Sequence, residues 1–328
     1  MTNPSEFLQA LNAYWTSHTL MAAVDLGVVP TLGDRPDTAA GIARRIQADE
    51  RGTAALMDAL TALDLFTKEQ GRYRVAPLGW QCLHPDSPTC LADIVRHHRN
   101  LAEGWLHLAE VVRSGRPNRQ RVHTLDDQQR RDFLLGMFNL ASLTAPHVLQ
   151  ALPLEQYRSL LDLGGGPGAY AIHFCQQHPA LQAVVLDQSS TRAIAEAQIS
   201  RAGLSERIRF RAGDFLTDDL GGPYDLIWAS HVLHGESPDQ VAALIQRAAA
   251  ALTPSGKLVV HEFILEDDRS GPLYPALFSL NMLLGTAQGQ SYSRGEISRF
   301  LEEAGLTHVS WQPLPGPSSL ISAARHSP

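Results

Sequence analysis

The segment Asp162-Leu163-Gly164-Gly165-Gly166-Pro167-Gly168 constrains what this chain can fold into more than any other. It ends the short apolar run Ser159–Leu163 and precedes a stretch, to about Gln177, whose apolar residues recur at helical spacing. Glycines at such a junction let a strand turn sharply into a helix while the backbone approaches a bound molecule closely. The alternation then continues. Residues 183–186, 208–212, 225–229 and 257–263 read as strands, with helices over 192–202 and 238–252 between them. This order implies a mainly parallel sheet covered by helices on both faces, and such sheets bind ligands at the carboxyl ends of their strands.

The chemistry-bearing residues of this half fall at those ends. Asp187 closes the second strand, where a carboxylate can grip two ribose hydroxyls. Gly213-Asp214-Phe215 closes the third, with a carboxylate and an aromatic face for a purine. A nicotinamide site usually shows G-x-G-x-x-G, with a helix amino terminus facing a pyrophosphate. Here the glycines fall as G-x-G-x-G behind an acidic residue, and Pro167 intervenes. The three strand ends together favour a nucleoside cofactor without a pyrophosphate. The alternative is a structural strand-to-helix turn.

The first half reads as helices. Phe7, Leu8, Leu11, Tyr14, Trp15, Met21, Val24 and Leu26 keep near-helical spacing over 5–27, ended by Gly27. Asp37 and Thr38 suit the cap of a short helix through Ile46, and Asp49 the cap of another running to Leu63. Leu65-Phe66-Thr67-Lys68, a turn at Glu69-Gln70-Gly71 and Arg72-Tyr73-Arg74-Val75 make a two-stranded ribbon. Helix, turn, helix and ribbon in that order form a winged-helix unit. Residues 91–150 read as further helices, broken around Ser114-Gly115-Arg116-Pro117. The expected organisation is a mainly α winged-helix domain over 1–100, a helical connector over 101–155 and an α/β Rossmann-like domain over 156–328.

A winged helix raises a DNA-binding ligand sensor as a rival function. Over 38–76, however, Arg44, Arg45, Arg51, Lys68, Arg72 and Arg74 are matched by Asp49, Glu50, Asp58, Asp64 and Glu69. The helix that would enter a groove opens with Asp49 and Glu50, where groove readers need cations. A net charge of -7 over 328 residues also disfavours a polyanion. Dimerisation is the better reading, and the stripe Phe7, Leu8, Leu11, Tyr14, Trp15 suits a homodimer. No apolar run approaches the roughly 20 residues that span a bilayer. The amino terminus has no basic segment ahead of an apolar core, so a secretory signal is not expected. Cys82, Cys90 and Cys175 are odd in number, form no C-x-x-C pair and read as free thiols. The expectation is a soluble cytoplasmic protein whose partners are neither membrane nor nucleic acid.

The stretch Tyr157-Arg158-Ser159-Leu160-Leu161-Asp162-Leu163-Gly164-Gly165-Gly166-Pro167-Gly168 resembles the first motif of class I methyltransferases. More narrowly, it is similar to that of the plant caffeate-type and bacterial antibiotic- and pigment-modifying O-methyltransferases. Those enzymes join a winged-helix dimerisation domain to a Rossmann-like domain, so the resemblance covers nearly the whole chain. It implies S-adenosylmethionine as the cofactor and no metal. It places Gly164, Gly166 and Gly168 against the methionine part, Asp187 on the ribose, Asp214 and Phe215 on the adenine, and Ser230 among the cofactor contacts.

Ser230-His231-Val232-Leu233-His234-Gly235-Glu236 follows the fourth strand. In the family a histidine followed by Asp-Trp sits there as general base; His234 matches it, and Gly235 and Glu236 depart from the pattern. The chemistry is an in-line displacement, which needs the acceptor oxygen deprotonated and held close to the methyl carbon. Imidazole, with an ordinary pKa of about 6.5, suits the task. His231 reads as a loop histidine. A zinc pair with His234 is conceivable from the spacing, but no third ligand is apparent. Glu262 matches a family carboxylate that orients the base, the alternative being a cap or a solvated strand-end carboxylate. The family's second glutamate lies in a Gly-Arg/Lys-Glu-Arg-Thr stretch, and here Gly289-Gln290-Ser291-Tyr292-Ser293-Arg294 puts Ser291 in its place. A hydroxyl cannot stabilise imidazolium as a carboxylate does, which leaves carbon methylation and non-methylating use of the sulfonium open. Phe278, Asn281 and Met282, in an expected helix over 272–285, and Met137, Phe138 and Asn139 resemble the family's pocket walls. A stripe of Leu and Met serves equally well as core. The expected reaction is methyl transfer to a hydroxyl of a small aromatic or polyketide-like molecule.

Overall fold

Helix caps set the elements of the amino-terminal unit. The computed structural model describes residues 2–119 and 124–326, and the chain divides into two units, Met1–Ala102 and Glu103–Pro328. Asn3 caps the helix Pro4–Asp25 by accepting from the Glu6 N–H at 3.0 Å. Gly27, at φ 59°, supplies the left-handed residue that ends it. The Thr38 hydroxyl accepts from Gly41 N at 3.2 Å to open the helix Ala39–Ile46. Asp49 accepts from Gly52 N at 2.7 Å to open Glu50–Ala62.

Strands β2 (Phe66–Glu69) and β3 (Arg72–Val75) pair antiparallel across Gln70 and Gly71, whose φ angles of 48° and 74° are those a tight two-residue hairpin requires. The wing has one strand more than the sequence suggested. Asp37 and Thr38 form β1 (Asp37–Thr38) and pair with Tyr73 and Arg72 before the helix begins. Ile42, Met57, Leu60, Phe66 and Tyr73 fill the core of this unit. Phe7, Leu8, Leu11, Tyr14 and Trp15 lie 54–59% exposed along the first helix.

The second unit holds β4 (Ser159–Leu163), β5 (Gln182–Asp187), β6 (Ile208–Ala212), β7 (Tyr224–Ser230), β8 (Leu252–Glu262), β9 (Leu306–Pro313) and β10 (Ser319–Arg325). They form a seven-stranded sheet of order β6-β5-β4-β7-β8-β10-β9. Neighbours from β6 to β8 are parallel, whereas β10 runs antiparallel to both β8 and β9. This closing pair was not expected from the sequence. Its strands interleave polar residues with the apolar ones, so neither forms a continuous apolar run, and β9 is largely exposed.

Two apolar clusters pack the two faces, one with Ile227, Leu244, Leu258 and Leu301, the other with Leu160, Phe174, Ile199 and Trp228. Burying each such side chain contributes about 1.5–3 kcal/mol. The helix Pro238–Ala250 opens with a reciprocal Ser237/Gln240 cap and Arg294–Glu303 with Ser293/Glu296. Residues 103–155, including the helix Asp127–Ala151, group with the second unit. Among the described residues no helix is long and apolar enough to cross a membrane.

Candidate active site

The carboxyl end of β4 runs into the glycine loop. Gly164, Gly166 and Gly168 have φ angles of 62°, 54° and 79°, a region that costs an L side chain roughly 1–2 kcal/mol. At Gly164 the constraint is also steric, because a Cβ there would sit 2.6 Å from a Val232 methyl and 3.5 Å from the Phe215 ring. At Gly166 nothing lies within 4 Å of that position, so one face of the loop is open. Beneath it, Asp162 is 1% exposed; one carboxylate oxygen accepts from Ala171 N at 3.2 Å and the other has no partner. Burial raises its carboxyl to about 7.

At the end of the adjacent strand, Asp187 is tied to the same loop. Its carboxylate accepts from Gly166 N at 2.8 Å, Gln188 N at 2.7 Å and the Thr191 hydroxyl at 3.0 Å. Burial nonetheless raises its pKa, against the downward pull of those bonds. Gly213 N donates to Asp187 O at 3.0 Å, which brings the ends of β5 and β6 together. Asp214 accepts from Leu216 N at 2.9 Å and so turns the chain there, while Phe215 packs on the core. An open, positively dihedral glycine loop, flanked by a carboxylate on one strand end and a carboxylate and ring on the next, fits a nucleoside carrying an amino-acid tail. Ser230 is placed differently from its neighbours, its hydroxyl lying 2.9 Å from Nδ1 of His261.

His234 and Glu262 come together from the ends of two neighbouring parallel strands. The register that sets Ser230 opposite His261 on β7 and β8 leaves Glu262 facing the short turn Leu233–Gly235. Nδ1 of His234 lies 2.9 Å from Glu262 Oε2, and its backbone N–H donates to Oε1 at 3.3 Å. Glu262 is 3% exposed. Burial pushes its carboxyl up, but the imidazoles of His234 and His231 outweigh this and hold it well below the usual carboxylate range. A carboxylate so placed accepts the Nδ1–H, which leaves Nε2 with the free lone pair, the arrangement a general base needs.

His231 holds a place the sequence did not suggest. It leaves β7 at φ 55°, unusual for a non-glycine residue, and its Nδ1 is 3.5 Å from the same Glu262 oxygen. His261, one residue before Glu262, has a different character: it is buried, lies 2.8 Å from the Ser318 hydroxyl and stacks on Trp228. Burial lowers its pKa well below the ordinary value, so it is a neutral core histidine.

An aromatic wall borders His234. Phe278 meets the imidazole edge-on with centroids 4.8 Å apart, Phe263 lies 4.7 Å from Phe278, and Tyr274 lies 4.8 Å from Phe263. Phe278, Asn281 and Met282 share the helix Leu273–Gly285, whose Leu284 carbonyl accepts the backbone N–H groups of Asn118 and Arg119 at 3.1 Å each. Asn139 and Asn281 both keep a buried side-chain oxygen without a partner. Phe138 packs against the core cluster around Trp228, and Met137 precedes it on the same helix. Ser291 is buried and its hydroxyl donates to Pro275 O at 2.8 Å, so it is committed to the backbone. Phe263 and Tyr274 escaped the sequence reading, because only the return of the chain after β8 brings them beside His234.

The O-methyltransferase domain model matches residues 90–307 and the O-methyltransferase dimerisation domain model residues 8–85. The chain belongs to the O-methyltransferase family. It is an S-adenosylmethionine-dependent methyltransferase preceded by a dimerisation domain. Among relatives of this O-methyltransferase, the 3-hydroxy-5-methyl-1-naphthoate 3-O-methyltransferase of Streptomyces sahachiroi is 32% identical, over 93% of this chain and 90% of that one. The tetracenomycin polyketide synthesis 8-O-methyl transferase TcmO of Streptomyces glaucescens is 31% identical, over 97% and 95%. Human N-acetylserotonin methyltransferase, solved in complex with S-adenosylmethionine, superposes with a TM-score of 0.89 at 28% identity, over 99% of each chain.

Proposed function

We propose that this O-methyltransferase methylates a hydroxyl of a flat aromatic, polyketide-like molecule, with His234 as general base and Glu262 as its positioning partner. The observation that carries the reading is the 2.9 Å contact between His234 Nδ1 and Glu262 Oε2 beside the Phe278 wall. Gly164, Gly166, Gly168, Asp187, Asp214 and Phe215 hold S-adenosylmethionine, and Ser230 borders it. When bound, the cofactor supplies an electrophilic methyl group on sulfur. Nε2 of His234 takes the proton of the acceptor hydroxyl, which readies that oxygen for methylation, and Glu262 stabilises the imidazolium. Phe278 and its aromatic neighbours hold the acceptor ring, Met282, Met137 and Phe138 extend the apolar wall, and Asn139 and Asn281 offer acceptors to its polar substituents.

The names of the Streptomyces relatives, acting on a naphthoate and in tetracenomycin synthesis, support this acceptor class. The chemistry uses no metal. The exposed stripe on the first helix, in a unit that matches a dimerisation domain, supports a homodimer. Incubation with S-adenosylmethionine and a panel of hydroxynaphthoates and polyketide phenols tests the reading. A gain of one methyl located on oxygen by NMR is expected; a new carbon–methyl bond would replace it with carbon methylation, the reaction that the committed Ser291 hydroxyl leaves open.

A further inference from the structure

His231, His234 and Glu262 bring one potential metal-ligand atom each into close proximity. Their ligand atoms lie within 4.8 Å of one another, the one such trio of His, Cys, Asp or Glu among the described residues. Two of the edges, at 2.9 and 3.5 Å from Glu262 Oε2, bracket the roughly 3.3 Å that separates ligands around a tetrahedral zinc with bonds of about 2.0–2.1 Å. Nδ1 of His231 is buried and its contact with Glu262 Oε2, at 3.5 Å, stands at the outer limit of a hydrogen bond, so the atom is poorly satisfied. Glu262 is the third donor that spacing along the chain did not reveal.

We infer that His231, His234 and Glu262 form a zinc-binding site superimposed on the base. Two imidazoles and a carboxylate suit a borderline cation such as Zn²⁺, and three protein ligands leave one coordination position open. Neutral imidazole has a single ring lone pair. In the metal-free state Glu262 accepts the Nδ1–H and that pair sits on Nε2, facing the acceptor. When Zn²⁺ takes the pair at Nδ1, the ring proton moves through solvent to Nε2, which becomes a donor and can no longer accept. Zinc is therefore an inhibitor that acts on proton removal and leaves the cofactor loop untouched. The inhibitory consequence rests on His234 being the base; the site itself does not.

The test is titration of chelator-stripped enzyme with Co²⁺, followed by displacement with Zn²⁺, alongside turnover with and without Zn²⁺. His231→Asn is the informative variant, because Asn tolerates the left-handed backbone at this position and is a poor zinc ligand. A thermal melt and His231→Gln check that the fold survives. One equivalent with the visible spectrum of tetrahedral Co²⁺ is expected, weakened at least about tenfold in both variants. Turnover should fall with bound Zn²⁺ and return with chelator. Absence of the tetrahedral spectrum, or undiminished affinity in both variants, overturns the site. Binding that depends on His231 without loss of turnover upholds the site and removes His234 from the role of base.

Discussion

Oε2 of Glu262 lies 2.9 Å from Nδ1 of His234, although 28 residues separate them in the chain. Two parallel strands in fixed register create that distance, and the carboxylate is buried as well as close. Glu262→Gln keeps the shape and an acceptor but removes the charge that balances imidazolium. The variant should retain cofactor affinity and lose turnover by about tenfold to a hundredfold, a smaller loss than removal of the imidazole itself. Steady-state kinetics beside a titration with S-adenosylmethionine checks this; unchanged turnover would make Glu262 a structural residue only.

Asp187 joins the loop to the expected ribose site through its bond to Gly166 N. Asp187→Ala should weaken S-adenosylmethionine by about 1.5–3 kcal/mol, the loss expected for hydrogen bonds to a charged group. Isothermal titration is the measurement. An affinity within about twofold of the wild type would place the ribose elsewhere.

Asp162 gives a pH dependence of stability. Its folded pKa is raised by burial to about 7, above the ordinary value of about 3.9. Between those values the folded state keeps a proton that the unfolded state has lost, so this group's contribution declines as pH rises through the window. Asp162→Asn retains an acceptor for Ala171 N and removes the titration. Thermal melts of the cofactor-free protein should show the variant gaining at about pH 8 relative to its difference from wild type at about pH 4. A difference that is the same at both pH values contradicts the assignment.

The exposed aromatic stripe on the helix Pro4–Asp25 predicts a homodimer. Replacing Leu11 and Trp15, 57% and 59% exposed, with Asp should yield monomers without loss of the fold. Light scattering that reports 35.8 kDa for the unmodified chain would contradict the dimer.

Much of the α/β half was legible because β4, β5 and β7 hold apolar runs and β4, β5 and β6 end at glycines or strand-end carboxylates. The caps at Thr38 and Asp49 were legible because capping is local chemistry. What escaped depends on distant partners. Asp37 and Thr38 pair with Tyr73 and Arg72, β9 and β10 close the sheet with sequences that interleave polar and apolar residues, and His231 meets Glu262 only through the β7–β8 register. Glu262 itself was found through the family resemblance, since a lone glutamate after an apolar strand has no signature of its own.

The most direct test of the account is the pH–rate profile of His234 variants. Breaking a buried pair can cost about 3–5 kcal/mol of stability, but His231 remains 3.5 Å from Glu262 to share the charge. His234→Gln is therefore measured beside His234→Ala, each with a thermal melt. The account predicts a loss of turnover of about 10²–10⁴-fold at neutral pH with cofactor affinity unchanged. It further predicts partial recovery as the solution approaches pH 10, about where a phenol ionises without help. A loss below about threefold across pH 6–9 in folded variants would contradict it, and His234 would not be the base.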